Sequence, residues 1–206
     1  MTDRLILHED PVSGNCYKIR LTAALLGLRM ERVEYDIMKG ETRTPRFLAH
    51  INPMGRIPVL QVGRRFLPES NAACCYLGEG SALVPDDRFG RADMLRWMFF
   101  EQYHHEPNIA TVRYWTTMVG MDALSEFQRS QIPGKRLAGE AALQQMEDHL
   151  LLHDWFVGDK ASLADIALFA YTHVADEGGF DLALYPQVGA WIARIRALPR
   201  FVPMRG

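Results

Sequence analysis

The chain has 206 residues, a formal net charge of -2, 48% hydrophobic residues and three cysteines. Its basic and acidic residues are scattered, so it carries no electrostatic footprint for nucleic acid or for an anionic membrane surface. No apolar stretch approaches the ~20 residues of a membrane helix, and charged residues occupy the N-terminus where a signal peptide needs an apolar run. We therefore expect a cytoplasmic protein with one large or two small folded cores.

The cysteines and histidines predict no metal site. Cys16 and the adjacent Cys74 and Cys75 form neither a disulfide framework nor a C-x-x-C or zinc motif. His104 and His105 are neighbours, and a helix cannot direct two consecutive side chains at one ion. We expect any redox chemistry to depend on a thiol supplied by another molecule.

The first third of the sequence alternates strand and helix signals. A short apolar strand precedes a helix that ends near Gly27, and two further strands flank Gly63 as a hairpin. The order is βαβαββα, which fits a thioredoxin-like domain. The predicted strands are 5–7, 33–36, 59–62 and 65–67, and the predicted helices are 15–26, 45–50 and one that follows Ser70.

A turn-rich stretch then ends the alternation. Glycine, proline and aspartate cluster between Gly78 and Arg91, which predicts a linker at 81–90 between a domain of residues 1–80 and a second domain of residues 91–206. From Arg91 onward, apolar residues recur at helical spacing, so the second domain is predicted to be all helical. Ser162 and Asp165 have the spacing of a capping box at the start of an almost wholly apolar helix.

The most informative motif is the run from Asn52 to Leu60, Asn-Pro-Met-Gly-Arg-Ile-Pro-Val-Leu, which is followed by Glu69-Ser70. A cis bond between Ile57 and Pro58 would leave the N–H and C=O of Ile57 exposed for pairing with a peptide-like ligand. Together with the start of the chain, this pattern resembles the cytosolic glutathione transferase family. The resemblance is to bacterial, serine-type members of the zeta, theta or nu kind, and it extends to residue 206.

The resemblance implies a thiol-activating residue ahead of the first helix. Alignment on Lys18-Ile19-Arg20 puts Ser13 at the family's serine position, and Asn15 matches the asparagine that assists or replaces the hydroxyl in some bacterial relatives. A helix N-terminus favours an anion such as a thiolate. Ser13 taken alone also fits an ordinary helix cap. With the downstream motif, we expect Ser13 and Asn15 to be catalytic.

The resemblance also implies a glutathione site in the first domain. Glu69 suits the ammonium of the γ-glutamyl group, and Ser70, at a helix start, suits its carboxylate. The Ile57-Pro58 step would pair with the cysteinyl backbone. Arg56 stands where the family more often has Gln or Lys. The expected partners of the glycine carboxylate are Lys39, Arg43 and Arg56.

The second substrate is expected at the helical domain, with Tyr103, His104 and Arg113 facing an electrophile site. The resemblance further implies glutathione as co-substrate, no metal, and a homodimer. The sequence therefore indicates a glutathione S-transferase that activates the glutathione thiol for attack on a small electrophile.

Three alternatives stay open at this point. Glutathione-dependent disulfide or peroxide reduction is the nearest, since Ser13 with Asn15 matches parts of both bacterial types. An isomerase of the zeta kind ranks third, because Asn15 replaces its characteristic cysteine. A noncatalytic interaction module with the same fold would not need to keep Ser13, the Ile57-Pro58 step and Glu69-Ser70 together.

Overall fold

The computed structural model describes residues 4–205. The chain divides into two compact units, one of Met1–Val84 with Leu198–Gly206 and one of Pro85–Ala197. The C-terminal tail from residue 198 groups with the first unit, whereas the sequence predicted that residues 91–206 form one domain. Tyr17 in the first unit donates its hydroxyl hydrogen to the carbonyl of Val202 at 2.7 Å, which ties the tail to that unit. The first three residues and Gly206, at the ends of the two predicted domains, lie outside the described part.

In its described residues, the first unit is a four-stranded sheet with three α-helices. The strands run in the order β2-β1-β3-β4, with β1 parallel to β2 and antiparallel to β3, and β3 antiparallel to β4. This arrangement confirms the predicted thioredoxin-like fold. The elements are β1 (Leu5–Glu9), α1 (Gly14–Leu25), β2 (Glu31–Glu34), α2 (Pro45–His50), β3 (Val59–Val62), β4 (Arg65–Pro68) and α3 (Ser70–Gly78).

Helix α1 begins and ends where its sequence dictates. Ser13 has extended backbone angles, and its side chain accepts the N–H of Cys16 as an N-cap. At the other end, Gly27 adopts a φ of 67° and donates its N–H to the carbonyl of Ala24. Glycine reaches this left-handed conformation at no steric cost, so the predicted stop at Gly27 is confirmed.

Strand β2 lies two residues earlier than predicted. All four of its residues are exposed, and only Val33 is apolar. Its position is set by backbone pairing with β1, in which Leu7 faces Arg32 and His8 faces Val33. An exposed edge strand leaves no alternation of buried and polar residues, so periodicity could not locate it.

The second unit is helical in its regular structure, as predicted. Its α-helices are α4 (Arg88–Phe100), α5 (Glu106–Arg113), α6 (Glu126–Leu150), α7 (Leu163–Thr172) and α8 (Pro186–Arg196). Wider helical turns at Glu101–His105 and Tyr114–Gly120 follow α4 and α5. The predicted capping box at the start of α7 is confirmed, and every residue of α7 is buried.

His173, directly after α7, makes stability depend on pH. Its ring stacks on Phe169 at 4.5 Å, and its Nδ1 donates to the Phe169 carbonyl at 2.7 Å. Burial lowers the pKa of His173 from 6.5 to about 4, and the hydrogen bond to the Phe169 carbonyl, which raises the pKa, has a smaller effect. The folded state therefore binds fewer protons, so stability is complete above pH ~6.5 and is lost as the pH falls towards 4.

We expect acidification from pH 7 to pH 4 to remove about 2–3 kcal/mol through this residue. Urea unfolding at several pH values measures the loss, and a His173→Gln variant should show a correspondingly flatter profile. Burial also lowers the pKa values of His8 and His149, so these residues also reduce stability at low pH. The difference between the profiles of the variant and the wild type therefore isolates the contribution of His173. Parallel profiles for the two proteins would refute the assignment.

Candidate functional site

The loop between β1 and α1 is held in place by Asp10. This residue is buried, and its Oδ1 accepts the N–H of Val12 at 3.1 Å while its Oδ2 accepts the N–H of Ile37 at 3.4 Å. Its own carbonyl accepts the N–H of Ser13 at 3.1 Å. Asp10 therefore fixes the backbone on which Ser13 stands. Asp10 was not predicted as a site residue, although an aspartate before Pro11 is a recognisable signal for a side-chain-capped turn.

The Ser13 hydroxyl can act as a hydrogen-bond donor. Its Oγ accepts the N–H of Cys16 at 3.4 Å, a bond that uses an oxygen lone pair and not the hydroxyl hydrogen. A serine at the N-terminal end of a 12-residue helix thus presents a donor beside the positive end of the helix dipole. This arrangement can stabilise an anion.

Cys16 itself is not a candidate nucleophile. Its side chain is fully buried, and its sulfur accepts the N–H of Asp10 at 3.4 Å. Burial raises the pKa of the Cys16 thiol to about 12, with the hydrogen bonds from Ser13 and Asp10 acting in the other direction. The thiol therefore stays protonated near neutral pH, and its role is packing.

The N-terminal ends of α1 and α3 are joined by a hydrogen bond. The Ser70 hydroxyl donates to Oδ1 of Asn15 at 3.0 Å across 55 positions of sequence. Ser70 is buried, and its hydroxyl makes this link, whereas the sequence predicted that the hydroxyl would hold a substrate carboxylate. The contact brings together two residues that the sequence named separately.

Helix α3 starts without a side-chain cap. Glu69 precedes it with a φ of 73°, a left-handed conformation that is uncommon for a residue other than glycine, and makes no capping bond. Within the helix, the N–H of Ala73 bonds to the Glu69 carbonyl at 3.0 Å. The helix start is therefore suited to an anion, and the Glu69 side chain is exposed beside it.

The Ile57-Pro58 peptide is cis, as predicted, and lies immediately before β3. The turn ahead of it is organised by buried Asn52, whose Nδ2 donates to the Arg56 carbonyl at 2.9 Å and whose Oδ1 accepts the N–H of Met54 at 3.0 Å. Ile57 is partly exposed, while Pro58 is buried.

The three candidate cations differ in their surroundings. Arg43 donates from Nη1 to the Met54 carbonyl at 3.0 Å, so it lies against the same turn as Arg56. Gly55 in that turn has a φ of 62°, and a side chain there would meet Arg43 at 2.7 Å. Lys39 instead pairs with Asp36 at 3.0 Å on an exposed loop. The structure therefore groups Arg43 with Arg56 and leaves Lys39 in a local pair.

In the second unit, Tyr103 and His104 lie together and Arg113 does not join them. Tyr103 is 81% exposed, with its ring 5.4 Å from that of His104. Arg113 is 3% exposed, and its Nε donates to Glu177 at 2.7 Å. This differs from the expectation that Arg113 faces a substrate, because its charge is used inside the helical unit.

The described residues contain neither a membrane-spanning helix nor a cluster of metal-binding side chains. Within residues 4–205, no helix is long and apolar enough to cross a membrane. Over the same range, no group of three or more histidine, cysteine, aspartate or glutamate side chains could hold a metal ion.

Comparisons with known proteins agree on one family. Residues 12–79 match a family model described as "Glutathione S-transferase, N-terminal domain", and residues 115–199 match "Glutathione S-transferase, C-terminal domain". The chain is 31% identical over 186 residues to glutathione S-transferase 2 of Anopheles gambiae, covering 88% of this chain and 85% of that protein.

Solved structures give the same answer. A glutathione S-transferase from Pseudomonas fluorescens superposes with a TM-score of 0.89 at 46% identity, covering 97% of this chain and 98% of that chain. A possible glutathione S-transferase from Rhodopseudomonas palustris superposes with a TM-score of 0.91 at 45% identity, covering 97% of this chain and 89% of that chain.

Proposed function

This chain belongs to the glutathione S-transferase family and is a transferase enzyme, and we propose that Ser13 prepares the glutathione thiol for attack on a small electrophile. The observation that carries the proposal is the hydrogen bond between Asn15 and Ser70. It joins the starts of α1 and α3, two helix ends that each favour negative charge. One helix end suits a thiolate and the other suits a carboxylate.

Ser13 acts as a hydrogen-bond donor to sulfur. A free thiol of the cysteine type has a pKa near 8.5, so only roughly 3% is ionised at pH 7. A charge-assisted bond from the Ser13 hydroxyl, together with the N-terminus of α1, lowers that pKa by about one to two units. A shift of about two units makes the thiolate the major form at pH 7. Asn15 assists from the first turn of the same helix.

The remaining contacts hold glutathione at its two ends and its centre. Glu69 pairs with the γ-glutamyl ammonium, and the N-terminal end of α3 at Ser70 receives the adjacent carboxylate. The backbone of Ile57, ahead of Pro58, pairs with the cysteinyl residue. For the glycine carboxylate, Arg43 and Arg56 are better supported than Lys39, since both lie at the Asn52–Ile57 turn.

The electrophile meets the helical unit. Tyr103 and His104 are exposed neighbours and offer an aromatic face and a polar ring, whereas Arg113 contributes through its ion pair with Glu177 and not as a contact. Disulfide reduction through a protein thiol is disfavoured, because Cys16 is buried with a raised pKa. The proposed chemistry is therefore attack by the glutathione thiolate, with the leaving group departing from the electrophile.

Removing the Ser13 hydroxyl is expected to lower kcat/KM by about ten- to a hundredfold, equal to one to two pKa units of lost thiolate stabilisation. Steady-state kinetics with glutathione and an activated aryl chloride measure this loss for Ser13→Ala. A Ser130→Ala variant, altered at an exposed serine of α6, serves as the matched control. The loss should shrink as the pH rises towards the pKa of the free thiol, where both enzymes hold glutathione as the thiolate. A Ser13→Ala enzyme with unchanged kcat/KM would rule out this role.

We also propose that the protein is a cytoplasmic homodimer with a detoxifying role, as the family resemblance implies. An apolar pair on α4 supports the dimer: Leu95 and Phe99, one helical turn apart, are 41% and 69% exposed. Sedimentation velocity is expected to show a dimer that a Phe99→Lys substitution weakens. A wild-type protein that sediments as a monomer at micromolar concentration would refute this proposal.

A further inference from the structure

Helix α2 is not held on the sheet by close packing alone. A cavity of about 680 Å³ lies between α2 and the sheet, and its wall includes His8 and Gln61 of the sheet and Tyr35 just after β2. A close-packed interface leaves few voids larger than a water molecule. The contacts that cross this gap therefore decide where α2 lies.

One contact across the gap joins the rings of Tyr35 and Phe47. Phe47 is the buried residue of α2, with only 2% of its surface exposed. The two rings meet edge to face with their centroids 4.9 Å apart, a favourable arrangement for an aromatic pair. Because α2 has only six residues, the position of Phe47 sets the position of the whole helix.

Tyr35 is itself held by hydrogen bonds that run through the sheet. Its N–H donates to the Glu9 carbonyl at 2.7 Å, and its hydroxyl lies 3.0 Å from Nδ1 of buried His8. Nε2 of His8 lies 3.0 Å from Oε1 of Gln61, whose amide nitrogen donates to the Gly63 carbonyl. Burial lowers the pKa of His8, so its ring is neutral at pH 7. Since Oε1 can only accept, Nε2 carries the proton and Nδ1 accepts from the Tyr35 hydroxyl.

Charges of both signs lie near the Tyr35 ring. Burial raises the pKa of Tyr35, while Arg46 lowers it and Glu41 raises it. The Glu41 carboxylate accepts the N–H of Asp36 at 2.7 Å and keeps its charge. Because the two charges are opposite, Tyr35 is held by its ring contact and its hydroxyl bond and not by a net charge.

Phe47 connects α2 to both arginines of the proposed site for the glycine carboxylate. Its N–H donates at 3.3 Å to the hydroxyl of Thr44, the residue directly after Arg43. Its carbonyl accepts the N–H of Asn52 at 3.1 Å. Asn52 in turn donates from Nδ2 to the Arg56 carbonyl at 2.9 Å. A shift of Phe47 therefore moves the backbone that carries each arginine.

We propose that Tyr35 is a positioning residue that places Arg43 and Arg56 to meet the glycine carboxylate of glutathione. It acts through Phe47 and does not itself contact the substrate. The inference rests on the proposed glutathione site, in which the two arginines bind that carboxylate. Ser13 stands at the start of α1, so the reaction of the bound thiolate does not depend on the Tyr35 side chain.

The test compares glutathione with γ-glutamyl-cysteinyl-ethylamide, in which a methyl group replaces the glycine carboxylate. Steady-state kinetics with an activated aryl chloride give KM and kcat for each thiol. Tyr35→Leu is expected to raise the KM for glutathione by about fivefold or more and to leave kcat unchanged, because it weakens binding and not the chemical step. The KM for the ethylamide, which has no carboxylate to place, should stay at the wild-type value.

Two further variants make the result specific. Tyr35→Phe keeps the ring and removes only the hydroxyl bond to His8, so it should raise the KM for glutathione by a smaller factor of about two to three. This variant also carries the test if Tyr35→Leu does not fold. Tyr76→Leu, at an exposed tyrosine of α3, is the matched control and should leave both KM values unchanged.

Three results would overturn the proposal. Equal rises in KM for both thiols would show that Tyr35 has only a general structural role. An unchanged KM for glutathione in the folded Tyr35 variants, when the wild type prefers glutathione to the ethylamide, would contradict this inference alone. A wild type with the same KM for both thiols would place the fault in the proposed contacts of Arg43 and Arg56, which Tyr35 would then have no reason to position.

Discussion

Replacing Asp165 with alanine is expected to destabilise the protein by about 3–5 kcal/mol. The carboxylate is fully buried at the start of α7 and accepts four hydrogen bonds. One oxygen accepts the N–H and the hydroxyl of Ser162 at 2.8 and 2.9 Å, and the other accepts the N–H of Phe156 at 3.2 Å and Nε1 of Trp191 at 2.9 Å. Alanine leaves those buried donors unsatisfied, at a cost of about 1–3 kcal/mol each before relaxation.

Urea unfolding followed by circular dichroism measures the free energy of unfolding of Asp165→Ala, and Asp165→Asn is compared with it. Asparagine keeps one acceptor oxygen, so it should lose less than alanine. Asp159→Ala, at an exposed loop position in the same unit, is the control and should be near neutral. Burial raises the pKa of Asp165, whereas its hydrogen bonds lower it. An alanine variant as stable as the control would mean that the four bonds contribute nothing net.

The second large effect is expected at Glu9, the last residue of β1. Its side chain is fully buried, with Oε2 3.0 Å from Nε of Arg20 and Oε1 paired with Arg32. Arg20 is itself only 11% exposed. Glu9→Gln leaves the Arg20 guanidinium buried without its counter-charge, and removal of one partner of a buried ion pair costs about 3–5 kcal/mol.

A double replacement distinguishes the destabilisation caused by leaving one buried charge unpaired from the net stability that the intact Glu9–Arg20 pair contributes. Glu9→Leu combined with Arg20→Met removes both buried charges, so it should recover much of the stability that Glu9→Gln loses. Glu31→Gln breaks the exposed pair between Glu31 and Arg4 and should change little, because solvent screens that pair. Equal losses for Glu9→Gln and Glu31→Gln would show that burial does not set the energetics of these pairs.

The sequence predicted those elements that local chemistry determines. The α1 stop at Gly27, the whole of α2, the hairpin at Gly63 and the Ser162–Asp165 cap all depend on residues within a few positions of each other. Strand β2 was predicted two residues too far along the chain, because its residues are exposed and its position depends on pairing with β1. The tail from residue 198, which the sequence places with the helical domain, groups with the first unit, and the bond from Tyr17 to Val202 within that unit spans 185 positions.

The candidate site follows the same division. Ser13, Ile57-Pro58 and Glu69 were proposed from motifs in the sequence, and the helix cap at Ser13 and the cis bond at Ile57-Pro58 are present in the structure. The link between Asn15 and Ser70, the anchoring by Asp10 and the pairing of Arg113 with Glu177 depend on tertiary contacts that no local spacing encodes. Their proposed roles in catalysis and binding stay predictions.

The central claim is that Ser13 lowers the pKa of the bound glutathione thiol. The most direct measurement is a pH titration of the ultraviolet thiolate absorbance of glutathione bound to wild type and to Ser13→Ala. The account predicts a pKa about one to two units below that of the free thiol in wild type, restored towards the free value in Ser13→Ala. An equally depressed pKa in both proteins, or no glutathione binding by the wild type, would contradict it.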